Sequence, residues 1–84
     1  MTTITEPTDP RYRRVLQAAA DLKALLTGRP SRADIDGAVL SADDTWKKSL
    51  PGMLRASRTG QETALWAEAF ESLREARAAV LRMR

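Results

Sequence analysis

With neither cysteine nor histidine among its 84 residues, the chain must find any nucleophile or base among serine, threonine, carboxylates and lysine. Nucleophilic catalysis needs a hydroxyl or thiol held beside a base that takes its proton. The serines are Ser31, Ser41, Ser49, Ser57 and Ser72, and none lies in the glycine-flanked elbow that presents a catalytic serine. Ser31 and Ser41 read as helix caps. Carboxylates sit close in sequence at Asp34/Asp36 and Asp43/Asp44. Residues one or two apart on a helix point to different faces, so neither couple makes an acid–base pair. They read as solvated capping and ion-pairing groups. The glycines are scattered at 28, 37, 52 and 60, so no glycine-rich loop cradles a phosphate. Carboxylates alone favour hard cations held in dedicated loops, and the sequence contains no such loop. It therefore nominates no catalytic, cofactor-binding or metal-binding residue. The expectation is a non-enzymatic protein with no cofactor and no small-molecule substrate.

The elements that would carry any other function are helices. Alanine and arginine are abundant, alanine, leucine, arginine and glutamate are strong helix formers, β-branched residues are few, and no stretch alternates apolar and polar residues as a half-buried strand would. A chain this short is one domain, burying roughly 60–65% of the surface that its unfolded form exposes. Residues 1–8 are polar and contain Pro7; they are expected to be a disordered or loosely attached tail, leaving 9–84 as a single helical domain. No apolar run approaches the ~20 residues that cross a bilayer, and residues 1–10 lack the charged start and apolar stretch of a signal peptide. The absence of cysteine suits a reducing compartment. A cytoplasmic protein without membrane contact is expected.

Asp9-Pro10 is a strong helix start: the aspartate caps free N–H groups and the proline gives up a donor that has no partner there. Tyr12, Val15, Leu16, Ala19, Leu22 and Leu26 then recur at helical spacing. Thr27-Gly28 followed by Pro30 is the matching stop, with glycine supplying a left-handed residue. The first helix spans 10–27. Ser31-Arg32-Ala33-Asp34 resembles a capping box, and Ile35, Ala38, Val39, Ala42 and Trp46 follow at steps of three and four. Asp43 before Lys47 and Asp44 before Lys48 are oriented for helical ion pairs. The second helix is set at 32–49, ended by Leu50-Pro51-Gly52. Ser41-Ala42-Asp43-Asp44 offers a second start and a turn near 40–41, but the stripe stays in phase across it, which favours one helix. Residues 51–58 read as a connector with a helical turn under Met53 and Leu54. Thr59-Gly60-Gln61-Glu62 is a further capping box, opening a third helix at 60–82 with Leu65, Trp66, Ala69, Phe70, Leu73, Ala76 and Val80 on its core face. The prediction is an all-α, small three-helix bundle anchored by Tyr12, Trp46, Trp66 and Phe70.

Charge comes in blocks: +2 over 1–30, −3 over 31–46, +4 over 47–60, −3 over 61–76 and +3 over 77–84. The basic patch is Lys47, Lys48, Arg55 and Arg58 with Arg77, Arg82 and Arg84 near the C-terminus; Arg11, Arg13 and Arg14 form another. A pI near 10 raises the question of nucleic acid. Residues 31–50 can be read as a helix-turn-helix, but its recognition helix would offer Ala42, Asp43 and Asp44 to a phosphate-lined groove, where carboxylates are repelled. The third helix carries more apolar surface than a core of this size uses. Leu65, Ala69, Ala76, Leu81 and Met83 therefore form the expected interaction surface, for a homodimer or another protein. The leading expectation is a helical protein-interaction module, a small regulator or adaptor. A DNA-binding protein using 31–50 or the basic connector 47–58 is the alternative.

Overall fold

The computed structural model describes residue 7 and residues 9–59 and 63–83. They form three helices: α1 (Pro10–Leu26), α2 (Arg32–Thr59) and α3 (Thr63–Leu81). The expected tail over 1–8 lies outside the described residues apart from Pro7, which is buried. Each helix packs on both others, giving the three-helix bundle that the periodicities predict, with no strand among the described residues.

The helix ends follow local chemistry. The Asp9 carboxylate accepts from the Arg11 backbone N–H at 3.0 Å, with Pro10 in the first turn. At the other end Thr27 donates its N–H and hydroxyl to the Ala24 carbonyl, at 3.4 and 2.9 Å. Gly28 does not take the expected left-handed conformation; its N–H instead closes a short turn on the Leu25 carbonyl at 3.3 Å. The capping box at α2 forms in both directions. Ser31 N–H donates to the Asp34 carboxylate and Asp34 N–H to the Ser31 hydroxyl, each at 3.1 Å. The second capping box, at 59–62, falls outside the described residues.

Helix α2 departs from expectation. It has no turn at 40–41, as the in-phase stripe favours, but it does not stop at Leu50-Pro51-Gly52 and runs to Thr59 with Pro51 inside. The expected connector 51–58 is helix. An interior proline removes one backbone bond and crowds the carbonyl four residues earlier, at about 3 kcal/mol or more. Here that carbonyl belongs to Lys47, which lies with Pro51 on the exposed side of α2. The compensation is packing: the buried stripe continues past Trp46 through Ser49, Gly52 and Ala56 at unchanged spacing. These small residues let the second half of α2 close on α3.

The core is Val15 and Leu22 from α1, Ile35 and Val39 from α2, and Trp66, Phe70, Leu73 and Val80 from α3. An aromatic chain ties the helices together. Tyr12 meets Trp66 edge-on with centroids 5.5 Å apart, Trp66 stacks on Phe70 at 6.1 Å, and Phe70 meets Trp46 edge-on at 4.7 Å. These are the four predicted anchors.

Candidate functional site

The structure narrows the expected surface on α3. Ala69 and Ala76 are buried in the core, and Leu65 and Leu81 are half-buried against it, so the two alanines offer no surface and the two leucines only part of theirs. The small diameter of a three-helix bundle explains the correction: α3 touches α1 and α2 together and buries a wider arc than one stripe. Met83 alone of the five predicted surface residues is exposed.

The most exposed large apolar side chains among the described residues are Leu40, at 70%, and Leu54, at 59%, both on α2. They lie fourteen positions apart, so on a helix with about 3.6 residues per turn they share one side. The same outward line begins at Ala33 and Gly37 and passes Leu40 and Asp44. It continues through Lys47, Pro51 and Leu54 to Arg58, and every one of these residues is exposed. Steps of four and three alternate throughout. Sequence reasoning missed this line because ending the helix at Leu50 put Leu54 in a loop and left Leu40 as a stray. Allowing Pro51 inside the helix would have revealed the repeat.

Of the predicted basic patch, Lys48 is tied to Asp44 at 2.9 Å, four residues earlier and well exposed. The expected Asp43–Lys47 pair does not form. Asp43 instead holds Arg77 of α3 across the bundle, with Nε 2.8 Å from Oδ1 and a second bond at 3.3 Å. That leaves Lys47 without an ion pair among the described residues. Asp43, Trp46, Lys47, Arg74 and Arg77 line a shallow groove of about 330 Å³, and Arg74 is itself paired with Glu71. Arg82 is exposed and Arg84 lies outside the described residues. The residues predicted as one patch are therefore divided: Lys47, Lys48, Arg55 and Arg58 share α2, while Arg77 and Arg82 belong to the far end of α3.

At the start of α1, the Arg11 guanidinium bonds both oxygens of Asp9. That bonding holds the Asp9 carboxyl below its ordinary pKa against the opposing effect of burial, with a smaller contribution from the charge of Arg55. Gly52 of α2 lies against Asp9, which puts this part of α2 at the end of the bundle where α1 starts.

The serines have structural roles. Ser31 caps α2, Ser57 bonds the Leu54 carbonyl of its own helix at 2.7 Å, and Ser72 accepts from Lys23 at 3.0 Å. Ser41 is exposed in mid-helix, and Ser49 is buried with its hydroxyl unpartnered. Among the described residues no three acidic side chains gather as around a metal ion, and no helix is long and apolar enough to cross a membrane. No family model matches this chain, and neither a curated protein nor a solved structure matches it.

Proposed function

We propose that this is a non-enzymatic protein-interaction module, a small regulator or adaptor, that binds through the outer face of α2. The observation that carries the reading is the pair Leu40 and Leu54, exposed on one line of a helix whose opposite side is core. Single exposed leucines are ordinary on protein surfaces. Two on one line with Ala33, Gly37 and Pro51 leave little polar side chain between them except Asp44 and Lys47. Such a line suits a partner helix, which reads apolar anchors at steps of three and four. Ser31, Ser57 and Ser72 are engaged in a cap, a helix bond and a bond to Lys23, which supports binding rather than catalysis. The lack of cysteine supports the cytoplasm as working compartment.

The test is capture from an extract of the cells that make the protein, with wild-type chain and the Leu40→Glu/Leu54→Glu variant as parallel baits. Proteins held by the first and lost by the second support the reading. Identical capture by both counts against it.

A second reading, nucleic-acid binding through 47–58, has one observation in its favour. Gly52 lies against Asp9, so the basic end of α2 sits at the end of the bundle where Arg11 opens α1. The helix-turn-helix form of that reading lacks its turn, since α2 is continuous from Arg32 to Thr59. Binding by the basic end predicts affinity for a mixed-sequence duplex that falls steeply with salt and depends on Arg55 and Arg58.

A further inference from the structure

Resting on the reading of the outer α2 face as a protein-binding surface, we propose that its occupant is a second copy of this chain, docked on the same face in antiparallel orientation.

The charge order along α2 carries the inference. Residues 32–44 sum to −3 and residues 47–58 to +4. A helix dipole favours acids in the first turn and bases in the last, and its influence fades within those turns. It therefore does not account for Asp44 and Lys47 in the middle of a 28-residue helix, where Asp43 is held by Arg77 of its own chain and Lys48 by Asp44. A copy lying parallel would set acid against acid and base against base. A copy lying antiparallel sets each acidic half against a basic half, twice, as the self-complementary patch of a twofold dimer requires.

The spacing fixes the register. In an antiparallel helix pair the two alternating seam positions face one another. With the twofold axis passing between Thr45 and Trp46, Asp44 faces Lys47 of the second copy, and Lys47 faces that copy's Asp44. Lys47 has no ion pair within its own chain among the described residues, while Asp44 already holds Lys48 at 2.9 Å. A carboxylate has two oxygens and accepts from both. One step outward, Leu40 meets Pro51. One step further, Leu54 meets Gly37, where nothing lies within 4 Å of an added Cβ. A leucine thus faces the smallest residue of the seam. At about 1.5 Å per residue α2 is about 42 Å long, close to the 43 Å long dimension of the molecule, so the seam runs the length of the protein.

A chain without cysteine allows a direct test. Gly37→Cys and Leu54→Cys chains are prepared separately, mixed and oxidised, alongside each variant alone. The expected product is the mixed 37–54 disulfide dimer, in several-fold excess over either homodimer. Charge exchange gives an independent readout by sedimentation. Asp44→Lys and Lys47→Asp should each weaken dimerisation by at least about tenfold, and the double exchange should recover most of it, because the reversed pairs attract again. A wild-type chain that stays monomeric at millimolar concentration overturns the proposal. So does a dimer without preference for the mixed disulfide and without rescue by the double exchange. If the chain is monomeric while Leu40 and Leu54 still govern capture of another protein, self-pairing falls and the wider reading stands; if that dependence is missing too, both fall.

Discussion

Gly52 of α2 lies directly against the indole of Trp66 in α3: a Cβ at Gly52 would sit 2.7 Å from Trp66 Cη2, 3.1 Å from Cζ2 and 2.9 Å from an Asp9 carboxylate oxygen. Trp66 is almost wholly buried at 1% exposure and is held by Tyr12 and Phe70, so the ring has nowhere to move. Three helices therefore converge on a position that tolerates only hydrogen.

Replacing that hydrogen should destabilise the protein even though alanine is the better helix former. Overpacking a core typically costs about 1–3 kcal/mol, against about 1 kcal/mol gained in helix propensity. Gly52→Ala is expected to unfold at lower urea concentration than wild type. Gly37 sits in the same helix with open space around it, and Gly37→Ala should stabilise by about 0.5–1 kcal/mol. Opposite shifts of the two urea midpoints are the expected result; a stabilising Gly52→Ala would show that α2 does not close on Trp66.

Ser49 offers a stabilising substitution. Its hydroxyl is buried at 1% residue exposure with no hydrogen-bond partner, and an unsatisfied buried polar group costs about 1–3 kcal/mol. Ser49→Ala removes the hydroxyl and keeps a small side chain at the buried position. Stability should rise by about 1 kcal/mol, read as a higher thermal midpoint. A fall would mean that the hydroxyl has a partner.

The Asp9 carboxyl titrates below its ordinary value of 3.8 because Arg11 holds the charged form. A carboxyl whose folded pKa is depressed contributes stability above the unfolded pKa and loses it as pH falls through the folded one. Asp9→Asn keeps a capping side chain and removes the charge. Its stability deficit relative to wild type should be constant between pH 5 and 7 and shrink as pH falls below about 4. A deficit independent of pH would assign the role of Asp9 to capping alone.

Much of the fold is legible in the residues because helix starts and stops carry local chemistry. Asp9-Pro10 and the Ser31–Asp34 box form as predicted. The sequence places the α2–α3 boundary too early because Pro51-Gly52 is an ordinary stop signal, while what overrides it is tertiary: Ser49, Gly52 and Ala56 are weak apolar markers that are all buried, and Gly52 fits against Trp66 only by its small size. That misreading carried into the candidate site. Only with α2 continuous to Thr59 do Leu40 and Leu54 fall on one line, and only the packed bundle shows Ala69 and Ala76 inside the core.

The most direct test of self-pairing through the α2 face is sedimentation of wild type over a dilution series beside Leu40→Glu/Leu54→Glu and Leu81→Glu/Met83→Glu, each checked for helicity by circular dichroism. Wild type should associate as concentration rises, the α2 pair should stay monomeric with helicity intact, and the α3 pair should associate like wild type. Monomeric wild type at every concentration, or association lost with the α3 pair and kept with the α2 pair, would contradict it.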